Sequence, residues 1–311
     1  MFAKLPSFIS IPVATTLFAI NTVAHCTPLL VLALFKALIP EPRVRGALSR
    51  VLLAISESWI GVNSFLLDTL TPTEWDVQGI EGLDPNGWYL VLSNHQSWVD
   101  IPVLQKIFNR RIPLLKFFLK QQLIWVPVLG LAWWALDFPF MRRYSREQLE
   151  RRPELRGTDI AATREACKKF AELPVSVMNF VEGTRFTRAK HEQQQSPYTH
   201  LLRPKAGGVA LVLQAMGGIL REIVDVTIVY SHGRPTVADL LAGRVPRVIV
   251  RVERYPVPAD LLSGDYENDK TFRARFQQWI NALWEAKDTR IAELGSEHCM
   301  PMQGGRTFVG R

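Results

Sequence analysis

The sequence predicts an α/β protein, a central sheet flanked by helices, joined to an N-terminal membrane-embedded helical hairpin. Three observations carry this. Apolar runs of strand length, Trp88 to Leu92 and Val175 to Val181 among them, alternate with segments of helical periodicity. Both of those runs lead directly into polar turns rich in ionisable side chains, the way α/β sheets present chemistry at the carboxyl ends of their strands. Ahead of the first strand, the chain between Lys4 and Lys36 contains no Asp, Glu, Lys or Arg.

At 311 residues the chain can hold one large domain with appendages, and its 48% apolar content and mean hydropathy of +0.05 are high for a soluble enzyme. Residues 1–72 read as membrane and membrane-surface helices, residues 73–294 as the domain that carries the chemistry, and residues 295–311 as a flexible tail. Leu5 to Ile39 is long enough to cross a bilayer. Asn21, His25 and Pro28 in its middle favour a bent or re-entrant hairpin over one straight span, because polar groups are costly at bilayer depth and proline removes a ladder hydrogen bond. A signal peptide fits less well: the apolar stretch is too long and the basic region before it is a single lysine. Arg43, Arg45 and Arg50 follow, which places that flank on the cytoplasmic side. Val44 to Leu70 carries Leu48, Val51, Leu52, Ile55, Trp59, Val62 and Leu66 at helical spacing and reads as an amphipathic helix between membrane and body.

Trp75 to Gly79 opens the sheet as an edge strand, Asp84-Pro85-Asn86-Gly87 is a turn, and Trp88 to Leu92 is a central buried strand. A helix is expected from Asp100 to Asn109, closed by Arg110-Arg111, and then a strand from Ile112 to Leu119 with Lys120 at its end. Leu123 to Leu136 is short for a span. Its tryptophans suit a membrane interface or the wall of a channel for a fatty chain, and a plain buried helix fits the same pattern. Arg142, Arg143 and Arg146 follow in a loop. Thr158 to Leu173 reads as an amphipathic helix, Arg188 to His200 as an exposed, mobile loop, and an apolar helix ends at Met216. Ile223 to Tyr230 and Arg247 to Arg254 are further strands, and Tyr266 to Leu294 is a terminal amphipathic helix.

The first polar turn is Ser93-Asn94-His95-Gln96-Ser97-Trp98-Val99-Asp100. A histidine at a strand's carboxyl end can act as a base near neutral pH when a carboxylate holds its other ring nitrogen, and Asp100 is the candidate for that carboxylate. Alone, His-x4-Asp is common by chance, and His95 reads equally well as a structural residue. The second turn shifts the balance. Val181 runs into Glu182-Gly183-Thr184-Arg185, and if the two strands are parallel neighbours, a carboxylate, a flexible turn, a hydroxyl and a guanidinium join His95 at one sheet edge. The guanidinium fork matches phosphate, Gly183 lets the backbone approach closely, and Glu182 is suited to ordering Arg185 or holding a substrate hydroxyl.

Asn94-His95-x4-Asp100, Arg143 after the second apolar stretch, Val181-Glu182-Gly183-Thr184-Arg185 and Asp225-Val226-Thr227, in that order over roughly Trp75 to Tyr230, resemble the glycerophospholipid acyltransferases of the PlsC type. Val181 and Asp225 stand where many members have proline, as in the branch that includes bacterial YihG and the eukaryotic lysocardiolipin acyltransferases. The resemblance implies the glycerolipid acyltransferase fold, a central mixed sheet flanked by helices. It implies acyl transfer from a coenzyme A or acyl carrier protein thioester to a lysophospholipid hydroxyl, foremost 1-acyl-sn-glycerol-3-phosphate to give phosphatidic acid. His95 would be the general base and Asp100 its orienting partner. Glu182, Gly183, Thr184 and Arg185 would form the acceptor site, Arg185 at the phosphate, with Arg143 and Lys120 as helpers. Membrane phospholipids and the donor thioester are the implied partners, no metal or redox cofactor is needed, and the implied setting is the cytoplasmic face of a bacterial inner membrane.

The net charge of +8 and pI near 9.6 suit an anionic membrane surface. Nucleic acid is not expected as a partner, since no recognition motif or basic-aromatic stripe accompanies the charge. Cys26, Cys167 and Cys299 stand too far apart for a metal or redox motif, His191-Glu192 lacks the second histidine of a zinc-protease helix, and neither a Gly-x-Ser-x-Gly elbow nor a phosphate-binding lysine loop occurs. Two other readings stay open. A lipid-binding or membrane-remodelling protein would need neither His95 nor Asp100. A phospholipid hydrolase leaves unexplained why no nucleophile or metal set accompanies them.

Overall fold

The computed structural model describes residues 6–141, 151–152, 165, 167, 174–262, 264–266 and 268–298. Two helices come first, α1 (Ser7–Leu38) and α2 (Pro42–Leu70), both long and apolar enough to cross a membrane. α1 is one unbroken helix, not the bent or re-entrant hairpin expected within Leu5 to Ile39, and the hairpin is instead α1 against α2. The reason lies across their seam. Asn21 Nδ2 donates to Asn63 Oδ1 (2.8 Å) and to the Trp59 carbonyl (3.1 Å). The His25 ring nitrogens meet the Asn21 carbonyl (3.0 Å) and Ser58 Oγ (3.1 Å), and Trp59 Nε1 donates to Thr22 Oγ1 (3.2 Å). Polar groups that would be costly alone are satisfied by the second helix. Pro12 and Pro28 are absorbed within α1, at the loss of a ladder bond each. α2 in turn meets the body through the Lys106–Asp68 ion pair (2.6 Å) and the Asn109 side-chain amide on the Glu57 carbonyl (3.1 Å).

The sheet domain follows as β1 (Glu74–Gln78), β2 (Tyr89–Ser93), α3 (Asp100–Phe108), β3 (Leu115–Phe117), β4 (Leu119–Lys120), a 3-10 turn (Gln121–Trp125), α4 (Leu129–Ala135) and β5 (Phe140–Met141). It continues as β6 (Ser176–Phe180), α5 (Arg188–Gln194), α6 (Ala206–Met216), β7 (Glu222–Tyr230), α7 (Val237–Leu241), β8 (Arg247–Pro256) and α8 (Lys270–His298). Six strands form one mixed sheet in the order β1-β8-β7-β2-β6-β3. β7, β2, β6 and β3 run parallel, while β8 is antiparallel to β7 and parallel to β1. β4 and β5 pair separately.

β2 is buried along its whole length because helices cover both faces. Leu90 and Leu92 pack with α6 and α8 through Val209, Leu213, Phe276 and Trp284, whereas Tyr89 and Val91 pack with Val103, Leu104 and Phe108 of α3. This is the two-residue alternation of a strand read on both sides. A third apolar cluster joins Cys26, Leu29 and Ala33 of α1 and Leu52 of α2 to Ala132 and Ala135 of α4. The stretch Leu123 to Leu136 therefore docks through its small residues, and it leaves Trp125 (84%) and Trp134 (55%) exposed.

Three expectations are revised. The strand expected over Ile112 to Leu119 contributes only the three residues of β3, because Leu119-Lys120 leaves to pair with Phe140-Met141. Arg188 to His200 holds a helix and side-chain anchors where a loop was expected: Thr187 Oγ1 caps α5 by accepting the Lys190 N–H, and the Asp288 carboxylate of α8 takes the N–H groups of Thr199 (2.8 Å) and His200 (2.7 Å). α8 continues past Leu294 to His298. The helix expected over Thr158 to Leu173 lies almost wholly outside the described residues.

β7 and α8 are joined by a fully buried ion pair, Lys287 Nζ to Asp225 Oδ1 at 2.9 Å, and the same ammonium donates to the Val226 carbonyl (2.7 Å) and Thr227 Oγ1 (3.2 Å). Burial pushes the lysine's pKa down and the aspartate's up, and their mutual attraction opposes both shifts. Lys287→Ala is expected to cost about 3–5 kcal/mol, since it strands a buried carboxylate, whereas Asp225→Leu with Lys287→Met is expected to recover most of that loss. Chemical denaturation of the detergent-solubilised protein measures both. A double variant as unstable as the single one would count against the pair being the cause.

Candidate active site

Ser93 of β2 lies opposite Phe180 of β6 in parallel register, so the two polar turns leave the sheet at one edge. β7 flanks β2 on its other side, with Ser93 opposite Val226, and runs on to Tyr230. Asn94 fastens the His95 turn to β7 by a reciprocal pair: its Nδ2 donates to the Ile228 carbonyl and its Oδ1 accepts the Ile228 N–H, both at 2.9 Å.

His95 Nδ1 lies 2.8 Å from Asp100 Oδ2. The same oxygen accepts the N–H groups of Gln96 (2.7 Å) and Ser97 (2.9 Å), and Oδ1 accepts the Tyr230 hydroxyl (2.6 Å). Asp100 has no exposure and His95 has 9%. A carboxylate only accepts, so in the neutral ring Nδ1 carries the proton toward it and Nε2 is left with the lone pair. Phe180 stacks on the imidazole at a centroid distance of 3.8 Å and 12° between planes, with Phe117 6.1 Å behind it. Burial and the Asp100 charge push the Tyr230 phenol well above its usual range, which keeps it a donor.

Glu182 is equally buried. One oxygen accepts the His95 N–H (2.8 Å) and the other the Leu202 N–H (3.0 Å). Its carboxyl is therefore committed inside the protein, where the sequence suggested a contact with Arg185 or a substrate hydroxyl. Burial pushes its pKa up to about 7, against the pull of those two N–H donors. The Leu202 carbonyl accepts Trp284 Nε1 of α8 (3.1 Å), so a chain of contacts runs from the last helix to the His95 backbone.

Gly183 holds φ +67°, the left-handed region, and a Cβ there would come within 3.0 Å of Lys205 Cδ. The Thr184 hydroxyl accepts from Lys190 Nζ (2.7 Å), and the same ammonium donates to the Arg185 carbonyl (3.1 Å). Arg185 is exposed, its guanidinium 4.5 Å over the Trp98 ring. Lys120 is exposed on β4 opposite Met141, and Arg143 lies outside the described residues. The structure thus gathers His95, Asp100, Glu182, Gly183, Thr184 and Arg185, and shows no contact that links Lys120 to them. Sequence reasoning missed Tyr230 and Phe180. The signal available was position: each ends a strand that parallels β2. Among the described residues, no group of three or more His, Cys, Asp or Glu side chains is placed to hold a metal ion.

The family model described as Acyltransferase matches residues 74–231. The chain is 27% identical over 184 residues to 1-acyl-sn-glycerol-3-phosphate acyltransferase gamma of Mus musculus, an alignment covering 56% of this chain and 44% of that protein. It is 24% identical over 211 residues to the delta protein of Homo sapiens, covering 64% and 51%. The chain thus spans about half the length of these curated relatives. Among solved structures, the 1-acyl-sn-glycerophosphate acyltransferase PlsC from Thermotoga maritima aligns with a TM-score of 0.53 at 18% identity, covering 89% of this chain and 98% of that one, a likeness of fold.

The raised pKa of Glu182 gives a pH signature. The native state holds a proton that a carboxyl at its ordinary 4.5 releases, so this group's contribution to stability is present below about 4.5 and is lost as pH rises through about 7. Glu182→Gln is expected to abolish that slope and, by turning an amide N–H₂ toward one backbone N–H, to cost about 1–3 kcal/mol at neutral pH. Thermal unfolding between pH 4 and 8 reads both, and an unchanged slope in the variant would refute the assignment.

Proposed function

Because the chain belongs to the Acyltransferase family, we propose that it transfers a fatty acyl group from an acyl thioester to the hydroxyl of a lysophospholipid. The acceptor proposed is 1-acyl-sn-glycerol-3-phosphate and the product phosphatidic acid, in keeping with the names of the curated relatives. The observation that carries this reading is His95 at the end of β2, its Nδ1 held by buried Asp100, on a turn that also presents Trp98 and the Arg185 guanidinium above it.

In the proposed reaction Nε2 of His95 takes the proton of the acceptor hydroxyl as its oxygen attacks the thioester carbonyl carbon. The tetrahedral intermediate collapses with cleavage of the carbon–sulfur bond, and the proton on Nε2 passes to the departing thiolate. Asp100 fixes the tautomer at the start and stabilises the imidazolium formed midway. Arg185 holds the acceptor's phosphate with its two-pronged fork. Glu182 acts on the reaction through the His95 backbone as a positioning residue, and Gly183 and Thr184 shape the turn that presents Arg185. Lys120 and Arg143 are proposed as helpers at the headgroup, as the resemblance implies. Coenzyme A and acyl carrier protein both present the thioester this chemistry requires.

α1 and α2 would hold the domain against the bilayer in which acceptor and product both reside. The setting proposed is the cytoplasmic face of a bacterial inner membrane, as the family resemblance implies.

Membranes carrying this chain, supplied with lysophosphatidic acid and labelled oleoyl-coenzyme A, are expected to form phosphatidic acid, and His95→Ala is expected to lower kcat at least about 100-fold. Arg185→Ala is expected to raise KM for lysophosphatidic acid about tenfold or more and to leave the thioester KM in place. Product that forms equally without His95, or no product from any lysophospholipid, would sink the reading and favour a lipid-binding role.

A further inference from the structure

We propose that Arg234 supplies a second guanidinium to the phosphate of the acyl acceptor, alongside Arg185, so that the site is built for a phosphate monoester headgroup. This rests on the acyl-transfer reading above. The segment after β7 is pinned to the His95 turn at two points: the Tyr230 hydroxyl donates to Asp100, and Ser97 Oγ donates to the Pro235 carbonyl. Between these anchors the Arg234 guanidinium lies 3.7 Å over the ring of Phe186, whose N–H donates to the His95 carbonyl at 2.8 Å. Arg185 is carried the same way on Trp98, three residues after His95. Each cation therefore rests on an aromatic platform that is part of the His95 turn or bonded to it.

Both also lack an acidic partner among the described residues. Several arginines elsewhere are matched by acids: Arg244 by Asp239, Arg251 by Asp76, Arg254 by Glu222, Arg290 by Glu253. Among the described residues, no carboxylate pairs with Arg185 or Arg234. Partial burial lowers the pKa of Arg234 from its ordinary value, and the charge of buried Glu182 opposes this. A guanidinium that has lost part of its hydration and gained no anion interacts favourably with one that arrives. The chemistry of the proposed acceptor supplies it. A phosphate monoester carries about −1.5 to −2 charge and three terminal oxygens, more than one guanidinium fork can engage.

The test compares wild type, Arg234→Ala and Arg234→Lys with lysophosphatidic acid and with 1-monoacylglycerol, an acceptor that differs only in lacking the phosphate. Arg234→Ala is expected to raise KM for lysophosphatidic acid about tenfold or more, with kcat and the KM for oleoyl-coenzyme A within about twofold of wild type, and with monoacylglycerol unaffected. Arg234→Lys, which keeps the charge but not the fork, is expected to recover part of the loss. An equal loss on both acceptors overturns the proposal, because it marks a structural role. A loss confined to the thioester KM overturns it too, because the cation then serves the donor's phosphates. Direct binding of labelled lysophosphatidic acid in detergent micelles, measured on His95→Ala with and without Arg234→Ala, separates this proposal from the reaction it rests on. Binding weakened about tenfold supports the phosphate contact whether or not wild type turns over, and equal binding refutes it. Absence of product from wild type refutes the acyl-transfer reading alone.

Discussion

Two buried carboxylates, Asp100 and Glu182, hold one histidine, the first at its ring nitrogen and the second at its backbone N–H, and neither is hydrogen-bonded to a lysine or arginine among the described residues. Taking such groups out of water costs several kcal/mol unless every lone pair finds a donor. Here the donors are mostly backbone. Asp100 draws the N–H groups of Gln96 and Ser97 around itself, and Glu182 draws those of His95 and Leu202. The curvature of the His95 turn is the shape that satisfies these acids. The position of the imidazole follows from it, and the parallel register of β2 with β6 and β7 brings the acids close enough to share one histidine.

The cations are distributed in the opposite way. Arg185 and Arg234 stay at the surface on aromatic rings, where they are held without being neutralised. A guanidinium inside would have paired with Glu182 or Asp100 and left nothing to meet an anionic ligand. Backbone donors within and aromatic platforms outside keep the buried acids and the surface guanidiniums from cancelling each other.

Much of this was legible in the sequence. The strands around His95 and Glu182, the turn at Asp84 and the pairing of His95 with Asp100 follow from local pattern, because each depends on residues a few positions apart. What escaped was decided at long range. α1 stays whole because Asn21 and His25 find Asn63 and Ser58, 42 and 33 residues away. Glu182 turned inward to a backbone N–H 87 residues earlier, and Tyr230 reached Asp100 across 130. No periodicity encodes such meetings. The helix and anchors in Arg188 to His200 were missed for the same reason: a polar stretch reads as loose until the acid that ties it, Asp288, is placed beside it.

The contact of Trp284 with the Leu202 carbonyl, and through Leu202 with Glu182, also sets an order of events. A ribosome releases His95 and Glu182 long before it reaches α8. Until then Asp225 lacks its buried lysine and the Leu202 segment lacks its brace. A chain interrupted before Trp284 already carries every residue of the proposed chemistry and lacks the frame that aims them. For the acyl transfer proposed above, competence would therefore arrive with α8, after α1 and α2 have had time to find a membrane.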